Sequence, residues 1–360
     1  MRCSHRHLSA KPDDFSVPNH HKNCSFMKNL SFFRFACLFI ALLIFAPSCQ
    51  DQYDWEEDFD NLEDAAEDGF DDDTYTDNDD TSSGGDGSLE LESDVGIAIY
   101  RTDGDNIILS ENANRGTAWM RDPGKHAEMW ELVTDLIPAD ARRWLYSFEV
   151  FDGGGEWLGF VYNLTDDLQD WNFALDISHA YLDGQTLERG GEFITTVLHE
   201  YGHILSLNDT QLDADENADE DTCGNYNPGE GCAFENSYID EFYERFWEDI
   251  AEEHESIDAD DYDALDDFYA EYQDRFWTDY SATNPAEDFA EVFAYFITLD
   301  EQPGGNQIKD AKIRMLYEYP ELTELRDHMR QTAAVNLPQA GVWSRPKCRH
   351  AQHRRHTAVR

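Results

Sequence analysis

Apolar positions follow two spacings along the chain, and the change from one to the other organises it. Short apolar or alternating runs mark strands, while apolar residues three and four apart mark helices. Gly96-Ile97-Ala98-Ile99-Tyr100 reads as a strand. His126 to Leu136 has helical spacing, with Met129, Trp130, Leu132, Val133 and Leu136 apolar. Three strand-like runs follow: Leu145 to Phe151, Trp157 to Tyr162, and Trp171 to Ile177. Gly153-Gly154-Gly155 marks the first two of them as a hairpin. From Phe193 to Leu207, the apolar residues Ile194, Val197, Leu198, Tyr201, Ile204, Leu205 and Leu207 predict a buried helix. Three more helical stretches are expected, over Tyr238 to Glu253, Tyr262 to Phe276 and Ala286 to Leu299. Strands first and helices afterwards predict an α+β fold: a mixed sheet packed on the Phe193 to Leu207 helix, then a mainly helical C-terminal subdomain. No internal repeat is visible.

This pattern places the folded domain at 93–336, and both flanks differ from it. Met27 is followed by Lys28 and Arg34, an apolar run from Phe35 to Ala46, and then Ala46-Pro47-Ser48-Cys49. A basic start, a short apolar run and small residues at its end read as a secretory signal over 27–48, too short to span a membrane. The Cys directly after the small residues resembles a bacterial lipobox. By that resemblance Cys49 is lipidated, becomes the mature N-terminus and holds the exported protein to the bacterial cell envelope, periplasmic or at the cell surface. Residues 1–26 stand upstream of a signal that should begin the protein, so Met27 is the expected start. Residues 49–92 are acidic and rich in Asp, Gly, Ser and Thr; they cannot bury enough apolar surface to order themselves and read as a flexible tether. Residues 337–360, with Arg345, Lys347, Arg349, Arg354 and Arg355, read as a disordered basic tail.

Charge defines the surface. The chain holds 26 Lys+Arg against 77 Asp+Glu, a net of −51. Between 50 and 344 there are 14 basic and 75 acidic side chains, and the lysines there are Lys125, Lys309 and Lys312. Such a surface repels nucleic acid and anionic lipid, and stays soluble where salt screens self-repulsion. Nucleic acid is therefore excluded as a partner and adaptation to high salt is expected; the other reading is a low-salt protein that binds many calcium ions.

An acidic insertion at 208–236 follows the buried helix. Within it Cys223 and Cys232 flank a turn-rich loop, Gly224 to Gly231, and can form a disulfide in an oxidising compartment. Zinc on that pair is not expected, because two further soft ligands are missing nearby. Asp213, Asp215, Asn217, Asp219 and Asp221 alternate in a way that resembles oxygen-rich calcium loops. Ala218 stands where such loops need Gly, and Gly224 where they need a bidentate Glu, so a solvated acidic loop is preferred to a Ca2+ site. His126, His179 and His254 have no partner logic and read as surface or packing residues.

The buried helix carries His199-Glu200-Tyr201-Gly202-His203. Positions i and i+4 share one helix face, so both imidazoles can reach one ion, with Glu200 beside it to hold a water. Burying two His and a Glu together without a metal would leave costly polar groups. A catalytic zinc needs a third protein ligand and an open position. Asp209 is one candidate, shortly after the helix, although Ser206 stands where a turn-permitting Gly is needed there. The other lies in Asn284-Pro285-Ala286-Glu287-Asp288-Phe289-Ala290-Glu291, where Pro285 suits a first helical turn. Glu287 and Glu291 share a face of that helix; one would bind the metal and the other would orient a ligating His.

His199 to His203 together with Glu287-x-x-x-Glu291 resembles the zincins whose third ligand is glutamate, especially the lethal-factor-like metallopeptidases. Tyr280-Ser-Ala-Thr-Asn284-Pro-Ala-Glu287-Asp-Phe-Ala-Glu291 is similar to their second active-site segment. With the lipobox, the whole resembles zinc metallohydrolase lipoproteins associated with substrate import in some bacteria. The resemblance implies a zincin-like fold and one Zn2+ per chain on His199, His203 and Glu287. It also implies Glu200 as general base, Glu291 as support and Tyr280 as a transition-state donor. It further implies a peptide or protein substrate held along an edge strand, for which Phe173 to Ile177 is the candidate. Glu287 lies 84 positions after His203, farther than the resemblance leads one to expect, so the insertion can reshape the cleft. The rival reading is a non-catalytic zincin-fold binding component of an envelope import complex.

Overall fold

The computed structural model describes residues 95–332, apart from 156, 215–221 and 259–260, together with Leu89 and Leu91. The signal segment, Cys49, the tether apart from Leu89 and Leu91, the basic tail and Asp215 to Asp221 of the acidic loop lie outside the described residues. All described residues belong to the compact unit Thr81–Arg360.

The chain opens with the hairpin β1 (Gly96–Asp103) and β2 (Asn106–Asn112). Its turn uses Gly104 at φ 62°, a conformation that glycine adopts without a steric penalty. Helix α1 (Pro123–Leu136) starts where Asp122 accepts from the Gly124 N–H, and it buries Met129, Trp130, Leu132, Val133 and Leu136. Strands β3 (Leu145–Phe151), β4 (Gly159–Asn163) and β5 (Trp171–Asp176) complete the sheet, followed by the single turn α2 (Ile177–Ala180) and the long helix α3 (Gly191–Leu207). A two-stranded ladder, β6 (Leu212–Asp213) with β7 (Cys232–Ala233), lies in the insertion. The helical part comprises α4 (Tyr238–Phe246), α5 (Ala251–Glu255), α6 (Tyr262–Glu271), α7 (Pro285–Thr298), α8 (Ile308–Leu316) and α9 (Pro320–Gln331). The expected α+β class is therefore observed, with a five-stranded mixed sheet and nine α-helices among the described residues. No helix among them is long and apolar enough to cross a membrane.

Sheet order is β2-β1-β3-β5-β4. Strands β3 and β5 run parallel; β4 lies at the border, antiparallel to β5 from Gly159↔Leu175 to Asn163↔Trp171. Two expectations are corrected by this order. The glycines 153–155 do not close a hairpin between β3 and β4, because β5 inserts between those strands. All six β5 residues are buried, so the strand needs partners on both sides. The Asp176 carboxylate at its end accepts from the Gly153 and Gly155 N–H groups, which folds the glycine turn over the strand end. By the same order, the Phe173 to Ile177 run is interior rather than an edge, and Ile177 already belongs to α2. The edge beside α3 is β4.

Local periodicity located the long helices within a few residues. It missed β2, a border strand with Ile108 and Leu109 both exposed, and it missed α8 and α9. The stretch expected as one helix over 238–253 breaks between α4 and α5, where the Trp247 indole N–H turns inward to donate to Asp288. α3 is buried around nearly its whole circumference and forms the centre of the main core, packed between the sheet and α7.

Candidate metal centre

Two helices build the site. α3 runs through the core because fifteen of its residues, Phe193 to Leu207, are buried. That leaves His199 and His203, one turn apart, facing its neighbour α7. The neighbour is started by Asn284, whose side chain accepts from the Glu287 N–H at 2.9 Å, with Pro285 in the first turn. The cap fixes Glu287 and Glu291 on the face turned toward α3. Contact between the helices is close because Gly202 has no side chain. A Cβ there would stand 2.9 Å from the Ala290 Cα.

Three ligand-type atoms converge across this interface. His199 Nε2 lies 3.1 Å from His203 Nε2, and Glu287 Oε2 lies 3.1 Å from the first and 3.2 Å from the second. All three residues are buried, at 8%, 4% and 1% exposure, so bulk water does not screen the group. A tetrahedral ion with bonds of about 2.0–2.1 Å holds its donor atoms roughly 3.3–3.4 Å apart. The observed triangle is within a few tenths of an ångström of that figure, and two imidazole nitrogens with one carboxylate oxygen are a metal-binding donor set. His199, His203 and Glu287 can hold a metal ion.

Surrounding bonds orient the donors. Glu291 Oε1 lies 3.0 Å from His199 Nδ1; a carboxylate accepts, so Nδ1 donates and Nε2 is the ring nitrogen that faces the triangle. Tyr280, in the 3-10 turn Tyr280–Ala282, donates its hydroxyl to Glu287 Oε1 at 3.1 Å, which leaves Oε2 for the histidines. Burial opposes charge on His199, but the Glu287 and Glu291 carboxylates outweigh it and hold the imidazole well above its ordinary pKa. The site thus favours positive charge at its centre. Tyr280 keeps 41% of its surface exposed, yet its hydroxyl end sits inside the site. Burial there, with the charges of Glu287 and Glu200, raises its pKa well above the phenol range. It is held as a neutral donor.

Glu200 is 6% exposed and near enough to His199 and Tyr280 for its charge to raise both. Its carboxylate lies along β4: a Cβ on Gly159 would stand 2.8 Å from Glu200 Cγ and Oε1. The glycine lets the border strand pass beside the acid.

The structure brings together His199, Glu200, His203, Tyr280, Glu287 and Glu291. Asp209 is not among them; its carboxylate accepts from the Trp144 indole N–H at 2.7 Å. Cys223 and Cys232 form the expected disulfide in the insertion. His126 is a packing residue rather than a surface one, fully buried with ring nitrogens 2.6 Å from Tyr100 Oη and Met120 O. His179 is buried beside Thr196, and His254 lies against Ala282 O and the Trp247 ring. Sequence reasoning gave no role to Thr278, which bonds Glu291, to Ser281, which bonds Thr278, nor to the buried Asp288–Lys312 ion pair behind α7. Lys312 offered a signal, since a rare lysine at an apolar-periodic helical position of an acidic chain needs a buried partner. Gly202 offered another, because glycine inside a helix costs about 1 kcal/mol and marks a close approach.

No family model matches the chain, and neither a curated protein nor a solved structure matches it.

Proposed function

We propose that this chain is a zinc-dependent metallohydrolase of zincin-like fold that cleaves peptide bonds. The observation that carries the reading is the buried His199, His203 and Glu287 triangle with Glu200 adjoining it. The resemblance to zincins with a glutamate third ligand accords with that donor set and with an antiparallel border strand beside α3. A zinc ion held by His199, His203 and Glu287 supplies Lewis acidity toward water and a carbonyl oxygen.

The chain's own groups do the rest. An extended peptide adds to β4 by main-chain hydrogen bonds, which sets the scissile carbonyl beside Glu200. Glu200 takes a proton from the attacking water and returns it to the leaving amine. The Tyr280 hydroxyl exchanges Glu287 Oε1 for the oxygen that gains negative charge. Glu291 holds the His199 ring against rotation throughout. Export and lipid attachment at Cys49 complete the proposal and would put this chemistry at the cell envelope.

Purified protein is expected to contain about one zinc per chain and to cleave casein or a mixed peptide library. Chelation should abolish cleavage, and Glu200→Gln should abolish it while retaining zinc. Protein that carries neither zinc nor chelator-sensitive activity would overturn the reading. Zinc without turnover would instead favour the binding-component alternative.

A further inference from the structure

Beyond the metal ligands and their immediate supports, a line of hydroxyl groups reaches Glu291 from the segment preceding the 3-10 turn. Thr278 Oγ1 lies 2.9 Å from Glu291 Oε2. The Ser281 N–H donates to Thr278 Oγ1 at 3.0 Å, and Ser281 Oγ lies 3.1 Å from the same atom. Donor rules fix every direction in this line. A carboxylate only accepts, so the one Thr278 hydroxyl proton goes to Glu291 Oε2. Thr278 Oγ1 is then left to accept, and Ser281 supplies both its N–H and its O–H. Glu291 spends Oε2 on Thr278 and presents Oε1 to His199 Nδ1. The line therefore ends at the imidazole whose other nitrogen faces His203 and Glu287.

Its origin is anchored. Trp277 stacks on Tyr295 of α7 with ring centroids 4.5 Å apart, and its indole N–H donates to the Lys309 carbonyl at 3.0 Å. Ser281 is fully buried. Thr278 is thus held from both sides and cannot follow Glu291 if that side chain turns away.

We propose that Thr278 is a positioning residue of the metal centre: its hydroxyl locks the Glu291 carboxylate in the orientation that directs His199 Nε2 at the ion. The inference rests on the metal-binding reading of His199, His203 and Glu287. A role confined to capping the 3-10 turn through the Ser281 N–H would affect stability alone.

The test measures Zn2+ affinity by chelator competition and the visible spectrum of the Co2+-loaded full chain. For Thr278→Val, Zn2+ affinity should fall up to about 10-fold, the lower end of the loss on removing a partner that bonds a ligating residue directly, and the Co2+ bands should shift. Thr278→Ser keeps the hydroxyl and should restore both. If Thr278→Val does not fold, Thr278→Ala carries the comparison, since its smaller side chain imposes no shape of its own. A hydroxyl-free variant that binds Zn2+ as tightly as the natural chain, with an unchanged Co2+ spectrum, overturns the proposal and leaves the metal reading standing. Failure of the natural chain itself to bind Zn2+ is a separate result that removes both.

Discussion

Gly202 and Ala290 bring α3 and α7 to backbone contact: a methyl group on Gly202 would stand 2.9 Å from the Ala290 Cα and 3.3 Å from its Cβ. His199 and His203 flank Gly202 on one helix, and Glu287 and Glu291 flank Ala290 on the other. The spacing of the donor triangle is therefore set by the absence of one side chain. In an unencumbered helix, Gly→Ala would stabilise by up to about 1 kcal/mol. Here overpacking of about 1–3 kcal/mol acts against that gain. Gly202→Ala should thus lower stability on balance and weaken metal binding, as urea unfolding and Zn2+ titration would register. A more stable variant with unaltered affinity would contradict this account of the interface.

Gly159 has the corresponding role for Glu200. A side chain at 159 collides with the carboxylate at 2.8 Å and with Thr196 Cγ2 at 3.0 Å, so Glu200 must move. Glu200 is not one of the three converging donors. Gly159→Ala should accordingly keep its metal content while turnover falls about 100-fold, the scale of a displacement near 1 Å in a reacting group. Parallel metal analysis and peptide-cleavage rates check this, and a simultaneous loss of metal would show that β4 supports the ligands themselves.

Acid should weaken the fold partly through His179. Burial drives its pKa down to about 4, and the Glu192 carbonyl only partly offsets this. The unfolded chain binds the proton near pH 6.5 and the folded chain does not, so stability is full above that pH and falls between about 6.5 and 4. The loss is on the order of 3 kcal/mol for this one group. Burial depresses His126 and His254 in the same direction. Urea midpoints measured from pH 7 to 4 should decline less steeply in His179→Gln than in the natural chain. Parallel curves for the two would remove His179 from the explanation.

The ion pair between Lys312 of α8 and Asp288 of α7 is wholly buried, and Asp288 also accepts from the Trp247 indole. Removing one partner strands the other charge in the core. Lys312→Met should cost about 3–5 kcal/mol, and Lys312→Met with Asp288→Asn markedly less, because the second change removes the stranded charge. Equilibrium unfolding of both variants checks the ordering.

Much of the centre was legible because it is local. His199, Glu200 and His203 lie within five residues of one helix, and the 3.6-residue period alone puts the two imidazoles on one face. Pro285 announces the start of α7, and the four-residue spacing puts Glu287 and Glu291 on one face. Strand partners were not legible in the same way. A run such as Phe173-Ala174-Leu175 states that it is buried but not which strands flank it, so the pattern alone does not distinguish an interior β5 from an edge or a glycine turn from a hairpin. Thr278 was silent for a related reason: its bond to Glu291 spans thirteen residues and two elements.

What this sequence determines by itself is therefore the long helices α1, α3 and α7 and the two segments that carry His199, Glu200, His203, Glu287 and Glu291. Tertiary structure decides that those segments meet, that β4 rather than β5 is the border strand beside α3, and that Asp209 turns away to Trp144. The physical reason is the same in each case. Periodicity and capping are set by neighbours a few residues apart, while pairing and close approach follow from which surfaces must bury each other across the whole domain.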